Sequence, residues 1–432
     1  MKDNIRLSFP IFLGQLGFSM MSFIDNILIG QLGTLSLSAF SLSSTVMFLA
    51  YALFVGFVIM FTPLIAQNTA DRKILFSNGV VIYLILGIIV FLLLCVLGKF
   101  IFHLGQPAAV VKIARPYFEI LMISFIPTFL FQILKQFSDG LSKTKIPMIF
   151  ILFSLIINII LDYALLLGRF GLPKLGLMGT AWGTLISRCI LFTTMLLYLA
   201  THKDTKDFFL SFFDFKIELK IIKMIFCQGF FSSIQVFFKI VLLTSTVILS
   251  GTLGTEIQAS NQIFMNLSSL MFTVSFSLAA GSAIKSSIFV SENNTKESLR
   301  SAQLYLKLSL CSSLLFALIL LLFSRSIALI YIKNPLVVQI VSNSLFLLVL
   351  FQFCSGAEAV LLGVLKGLMD TLIPLYLVAG AYFSALVLSF YLIKAFGFAG
   401  IWIGLICGVS ASCLLLLRRA FFVHQELEKQ QI

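Results

Sequence analysis

Long apolar runs recur along the whole chain, and they constrain its fold more than any other feature. A helix of about 20 apolar residues spans the roughly 30 Å of hydrocarbon in a bilayer and satisfies its own backbone hydrogen bonds there. Hydrophobic residues make up 60% of the 432 and charged residues only 11%, whereas soluble domains are about a quarter charged. The sequence therefore predicts an all-α, multi-pass membrane protein.

Twelve of these runs are long enough to be predicted transmembrane helices. They cover residues 8–32, 40–66, 77–104, 116–138, 146–168, 176–200, 223–250, 257–284, 303–332, 338–365, 371–394 and 397–417. The longest polar interval lies between the sixth and seventh runs and divides the chain into two halves of six. The predicted regions are an N-terminal lobe (1–200), a cytoplasmic linker (201–222), a C-terminal lobe (223–417) and a cytoplasmic tail (418–432).

The two halves resemble each other in sequence. Three segment pairs match in order: 25–33 with 246–254 (DNILIGQLG and TVILSGTLG), 140–147 with 367–374 (GLSKTKIP and GLMDTLIP), and 179–182 with 400–403 (GTAW and GIWI). The offsets are 221, 227 and 221 residues, so the pattern indicates a duplicated unit of six helices. Because six is even, both copies enter the membrane from the same side, which predicts parallel, pseudo-symmetric lobes with a cavity between them.

The distribution of basic residues argues against a nucleic-acid partner despite the net charge of +13. Lys and Arg flank the apolar runs instead of forming one stripe, as expected where loops lie against anionic lipid. With the N-terminus inside, eighteen of them fall on the cytoplasmic side and eight outside. We therefore expect both termini to be cytoplasmic, in an inner or plasma membrane, and we expect a monomer.

A few charged residues lie inside predicted helices, where a charge costs about 2.5–3.5 kcal/mol on insertion scales. The candidates for buried functional charges among them are Asp25, Asp162, Glu358, Lys239 and, more weakly, Glu119. Such a charge requires either an interior partner or a function.

The first lobe contributes a candidate ion-coupling site. Asn158 and Asp162 are four residues apart, so their side chains share one helix face, and Asp25 belongs to the first helix of the same lobe. A buried carboxyl group can load and release a proton, and carboxylate and amide oxygens also suit sodium, so both ions stay open. The alternative interpretation is a carboxylate that only hydrogen-bonds a neighbouring helix.

The second lobe contributes one acid and one base. Glu358 and Lys239 lie in the tenth and seventh predicted helices, and pairing would neutralise both. A structural salt bridge and a pair that faces the substrate cavity are equally compatible with the sequence.

Enzymatic motifs do not occur in this sequence. It holds no phosphate loop, no HExxH and no paired catalytic motif, and its seven cysteines include no CxxC pair. We therefore expect a non-enzymatic protein without a cofactor.

The chain resembles the multidrug and toxic compound extrusion (MATE) transporters in an ordered set of segments. They are FPIFLGQLGFSMMSFIDNILIGQLG, NIILDYALLLGRFGLPKLGLMGTAWGTLISR, GVLKGLMDTLIP and FGFAGIWIGLICG. The resemblance implies twelve helices in two lobes, and efflux of organic cations by alternating access in exchange for protons or sodium. Asp25 matches the family's first-helix acid, and Asn158 and Asp162 match the fifth-helix amide and acid of the DinF-like branch.

Two positions depart from the NorM-like branch of that family. Lys239 stands where that branch has a helix-seven Glu, and Ser355 stands where it has a helix-ten Asp, with Glu358 one turn further on. Ion coupling is therefore expected in the first lobe. The alternative function is a lipid-linked oligosaccharide flippase of the same superfamily, which Lys239 favours slightly because such a protein needs a basic cavity.

Overall fold

The computed structural model describes residues 2–67, 71–101, 107–212 and 216–430, and within these ranges the regular structure is helical. The helices are α1 (Lys2–Gly30), α2 (Thr34–Gln67), α3 (Arg72–Ile101), α4 (Ala108–Gly140), α5 (Lys145–Leu167), α6 (Leu177–Thr201), α7 (Lys203–Ser211), α8 (Leu219–Gly251), α9 (Thr255–Ser291), α10 (Thr295–Leu322), α11 (Ser324–Tyr331), α12 (Pro335–Gly367) and α13 (Leu372–Gln430).

The predicted transmembrane helices correspond to these helices. Eleven helices of the described residues are long and apolar enough to cross a membrane. The last of them, α13, consists of two helices that meet at a kink. Gly397 interrupts α13 with φ 53° and ψ −127°, a conformation that only glycine adopts easily. The break separates the eleventh and twelfth predicted spans, so the prediction of an all-α protein with twelve spans is confirmed.

Several predicted span boundaries differ from the structure, most of all those of the ninth span. The ninth span, predicted over 303–332, is wrong at both ends, because α10 begins at Thr295 and ends at Leu322. Phe323 leaves the helical conformation there (φ −111°, ψ 23°), and the short helix α11 follows. The end of the third span (102–104) and residues 213–215 of the predicted linker lie outside the described residues.

The chain forms two compact units. The first unit comprises residues 13–233, and the second comprises residues 234–432 together with 1–12. Within the second unit, the first turns of α1 bind α10, where Asn4 Nδ2 donates to Ser301 Oγ over 3.3 Å. The predicted lobe and linker boundaries stay a prediction.

The backbone of the two halves repeats the offsets of the sequence. Gly33 and Gly254, at the ends of α1 and α8, both have positive φ (102° and 116°) and lie 221 residues apart. Ser142 and Met369, which follow α4 and α12, have φ of 61° and 58° and lie 227 residues apart. Non-glycine residues rarely adopt positive φ, so the same turn at equivalent places supports the duplication.

Helices α4 and α12 are the most buried spans of their units. Both run 33 residues. A helix that is apolar around most of its circumference lies inside a bundle, where its few polar side chains must find protein partners. The candidate site residues lie on or beside these two central helices.

Candidate functional site

Small residues bring α1 against α5 in the first unit. A Cβ atom added to Gly14 would lie 3.2 Å from Ile151 Cδ1, and one added to Gly17 would lie 3.0 Å from Ile151 Cγ2, so a larger side chain would push the helices apart. Asp25 lies eleven residues beyond Gly14, and Asp162 lies eleven residues beyond Ile151. Eleven residues are about 16 Å of helix and three turns, so two helices running in the same direction bring these acids to the same level.

The two acids meet as this spacing requires. Asp25 and Asp162 are buried, with 8% and 0% of their surface exposed, and their side chains are within hydrogen-bonding reach of each other. A hydrogen bond between two carboxyl groups requires a proton on one of them, because an ionised carboxylate has no donor. A proton shared by the two carboxyl groups would therefore join α1 to α5 at this point.

Asn158 and Gly183 fix the carboxyl group of Asp162. Asn158 Nδ2 donates to Asp162 Oδ2 over 2.8 Å, one turn back on α5. On the other side, a Cβ atom at Gly183 of α6 would collide with Asp162 Oδ1. Position 183 must therefore lack a side chain for Asp162 to keep this rotamer.

Three oxygens at this site remain without a hydrogen-bond partner. They are Asp25 Oδ1, Asn158 Oδ1 and Asp162 Oδ1, all buried. Buried polar atoms are normally paired, so unpaired ones mark a place where a proton, water or ion can bind.

Sequence reasoning missed Arg188 and Tyr117. Arg188 of α6 interacts electrostatically with Asp25 and Asp162, and its Nη1 donates to Ser124 Oγ of α4 over 2.6 Å. Tyr117 of α4 lies close to the Thr180 side chain and within electrostatic range of both acids. An arginine inside an apolar span was a detectable signal, because it costs as much as an acid there. Arg188 supplies the countercharge that the sequence around Asp25 lacks.

The structure also joins Lys239 and Glu358 in the second unit. Lys239 Nζ of α8 lies 2.8 Å from Glu358 Oε2 of α12 and donates to Ser355 Oγ over 3.1 Å. Tyr382 of α13 donates its hydroxyl proton to the same Glu358 oxygen over 2.8 Å. Glu358 therefore neutralises Lys239, and the proximity predicted for this pair is confirmed.

Glu119, the weaker candidate for a buried acid, is exposed. Its carboxylate lies 3.4 Å from Arg115, one turn earlier in α4, with 58% of the side chain accessible. The reason is the face of α4 that it occupies, because Arg115 and Ile123, one turn before and after it, are exposed as well, whereas the adjacent Tyr117 and Phe118 are buried. Helix α4 also starts at Ala108, eight residues before the predicted start. A different buried pair occupies the other end of that helix, where Lys135 and Asp139 are 2.7 Å apart.

Sequence comparison places the chain among known transporters. The MatE family profile matches residues 10–164 and 232–391, which is most of the chain. This chain belongs to the MatE family. A probable multidrug resistance protein NorM of Photorhabdus laumondii is 26% identical over 96% of this chain and 94% of its own length. The multidrug resistance protein NorM of Vibrio cholerae is 26% identical over 99% of this chain and 96% of its own.

Solved structures share the MatE fold of this chain. An outward-facing multidrug resistance MATE transporter of the MOP superfamily superposes with a TM-score of 0.87 at 18% identity, over 99% of this chain and 96% of the other. A MOP superfamily transporter from Pyrococcus furiosus, described as having a binding pocket of reverse polarity, gives 0.86 at 18% identity, over 99% and 96%. At such identities the likeness shows the fold alone.

Membership of the MatE family confirms the resemblance read from the sequence. The protein is a multi-pass membrane transporter and not an enzyme. The placement nearer the DinF-like branch stays a prediction.

The two halves of this MatE protein carry different chemistry at equivalent positions. At the offsets of 221 and 227, Asp25 and Asp162 correspond to Thr246 and Ser389. Gly404 packs on Ser389 in the second unit as Gly183 packs on Asp162 in the first. The duplicated scaffold is therefore retained, whereas the paired acids belong to the first unit alone.

The charge pair of Lys239 and Glu358, in contrast, belongs to the second unit and has no charged counterpart at the equivalent positions of the first. Lys239 and Glu358 correspond to Phe18 and Phe131, whose rings pack 6.1 Å apart between centroids. An apolar pair thus fills this position in one copy of the fold, so the scaffold does not require a charge pair there.

Proposed function

We propose that this protein is a secondary active antiporter that exports cationic, amphipathic organic molecules in exchange for a proton held between Asp25 and Asp162. The observation that carries this proposal is the contact between these two buried carboxyl groups on separate helices. The relatives are named multidrug resistance proteins, which supports organic small molecules as substrates and does not favour the flippase.

Charge balance explains why one proton suffices at the Asp25–Asp162 pair. With one shared proton the pair carries a single negative charge, and the guanidinium of Arg188 offsets it. Without the proton, two like charges would face each other at short range in a medium of low dielectric constant, where repulsion is strong. Loss of the proton therefore favours separation of α1 from α5.

Separation of these helices links the proton to transport. A ligand shifts a conformational equilibrium only by its different affinity for the two states. If the state with α1 and α5 apart binds an organic cation and the state with them together binds the proton, each ligand lowers the affinity for the other. Exchange then follows from reciprocal coupling.

Sodium is the second candidate ion. The unpaired oxygens of Asp25, Asn158 and Asp162 offer three oxygen ligands, the type that hard cations prefer. Three protein oxygens are fewer than the usual coordination of such ions, so bound water would have to complete the shell.

The setting of the transporter completes the proposal. We infer that it acts as a monomer in an inner or plasma membrane, with both termini in the cytoplasm. The excess of Lys and Arg in the loops on that side supports this orientation.

Flux of a fluorescent organic cation into proteoliposomes, driven by an imposed proton or sodium gradient, tests the function. Asp25→Asn should abolish gradient-driven flux, and Asp162→Asn should reduce it nearly as far, while both variants stay folded. Glu119→Gln, which neutralises an exposed carboxylate of the same unit, is the matched control and should transport normally. If Asp25→Asn transports at the wild-type rate with an unchanged ion dependence, the coupling site lies elsewhere.

A further inference from the structure

The ammonium group of Lys239 is surrounded by more than a single counterion. It lies 2.8 Å from Glu358 Oε2 and 3.1 Å from Ser355 Oγ. It also lies 5.4 Å from the ring centroid of Phe351 and 5.3 Å from that of Tyr382. A cation within about 6 Å of an aromatic ring is attracted by the ring face. A carboxylate, a hydroxyl and two rings together form the surroundings that proteins use to bind ammonium ligands.

Most of this enclosure is built without Lys239. Phe351, Ser355 and Glu358 are spaced four and three residues apart, so they form one face of the buried helix α12. Tyr382 comes from α13 and orients Glu358 by donating to its Oε2 over 2.8 Å. The host groups therefore belong to α12 and α13, whereas Lys239 of α8 supplies only the cation.

The enclosure keeps an unused acceptor. Glu358 is 1% exposed, and its second oxygen, Oε1, has no hydrogen-bond partner. A simple salt bridge that only fastened α8 to α12 would not need the hydroxyl, the two rings or a free carboxylate oxygen. The equivalent positions of the first unit, Phe18 and Phe131, achieve the same helix contact with apolar groups.

We propose that Phe351, Ser355, Glu358 and Tyr382 form a binding site for a primary alkylammonium ion, and that Lys239 occupies it as an intramolecular ligand. The second unit therefore carries its own cation, and a free amine enters only when the lysine side chain is absent or withdrawn. This inference concerns the second unit and does not rest on the proposed exchange at Asp25 and Asp162.

Chemical complementation tests the site in purified full-length protein. Lys239→Ala removes three methylenes and the ammonium group, which propylammonium replaces atom for atom. Lys239→Val keeps carbon atoms at the γ position. It therefore removes only the outer two of those methylenes, together with the ammonium group, and leaves room for ethylammonium. Thermal unfolding should show a lower Tm for each variant and a saturable recovery of about half the loss or more on addition of the matched amine, because a ligand of the native state stabilises it. The preferred chain length should change between the two variants.

Matched variants separate the site from unspecific effects. Wild type should not respond, because its own lysine fills the site, and Lys239→Ala combined with Glu358→Gln should not respond, because the carboxylate is gone. Lys394→Ala is the control for a lysine that only stacks on a ring, since Lys394 lies 5.8 Å from the Phe390 centroid and is exposed. It should gain no amine response.

Three results would overturn the inference. One is a folded Lys239→Ala protein that gains no stability from propylammonium, and another is an equal gain in the variant that also carries Glu358→Gln. The third is that Lys239→Ala and Lys239→Val prefer the same amine. If Lys239→Ala fails to fold, the ethylammonium titration of Lys239→Val decides alone. Because none of these measurements requires transport, a failed exchange assay would leave this result unaffected.

Discussion

Gly183→Ala perturbs the carboxyl pair without changing any charge. A Cβ atom at position 183 would collide with Asp162 Oδ1 and would lie 3.1 Å from Asp162 Cγ and 3.2 Å from its backbone nitrogen. Ordinary van der Waals contact begins at 3.4 Å, so the carboxyl group must move by about 1 Å or more in a close-packed interior. The backbone of α5 is also too close to leave α6 unmoved.

Such a movement breaks a measurable interaction. The hydrogen bond from Asn158 to Asp162 is 2.8 Å long and does not survive an added ångström. Hydrogen bonds to charged groups contribute about 1.5–3 kcal/mol, which corresponds to roughly tenfold to a hundredfold in an equilibrium constant. We therefore expect proton-driven flux per folded molecule to fall by roughly that factor, in addition to a loss of about 1–3 kcal/mol in stability from overpacking.

Gly404→Ala is the control that the duplicated fold provides. A Cβ atom there would collide with Ser389 Oγ and lie 2.6 Å from the Ser389 nitrogen. The steric clash is therefore similar to the one at position 183, but no acid is displaced. Thermal unfolding of both variants and proton-driven flux of an organic cation in proteoliposomes are the assays. The reasoning is refuted if Gly183→Ala transports normally, or if both variants lose flux only in proportion to their lost stability.

Three further predictions follow from contacts in the two units. Lys239→Met and Glu358→Gln should each cost about 3–5 kcal/mol in denaturant unfolding, because each leaves a buried charge unpaired, whereas the double variant should cost much less than the sum; additive effects would contradict the pairing. Arg188→Gln should lower proton-driven flux more than Arg188→Lys, because the lysine keeps the positive charge near Asp25 and Asp162; equal flux in the two variants would show that the charge is irrelevant. Gly397→Ala should destabilise the protein by about 1–3 kcal/mol, since φ 53° with ψ −127° is strained for any residue that has a side chain. The control is Gly380→Ala, which has open space around it in the same helix and should be neutral or slightly stabilising in thermal unfolding; a similar loss of stability in both variants would contradict this prediction.

The helices were predictable because the bilayer imposes apolar runs on the sequence, and the duplication was predictable because matching segments recur at nearly one offset. Apolar runs must be about as long as the hydrocarbon is thick, so the spans followed from composition alone. Helix ends depend on local conformations that periodicity does not reveal. Phe323 ends α10 directly before the polar triplet Ser324, Arg325 and Ser326, a break that the high average apolarity of 303–332 hides.

The site was predictable in its acids and not in its partners. Asp25 and Asp162 were identifiable because each is costly in lipid, whereas their contact depends on Gly14 and Gly17 allowing α1 close to α5. Arg188 was detectable by the same cost argument as the acids. Its position near both carboxyl groups depends on how α4 and α6 pack together. The spacing of residues within a single helix does not reveal that packing.

The most direct test of the proposed exchange is the number of protons released when an organic cation binds to the purified protein. Tetraphenylphosphonium can be titrated into weakly buffered, sodium-free protein in detergent while a pH indicator reports released protons. The proton that we propose Asp25 and Asp162 to share predicts a release of about one proton per bound cation in wild type and in Glu119→Gln. It predicts none in Asp25→Asn. Binding without proton release in the wild-type protein, or unchanged release in Asp25→Asn, would contradict the account.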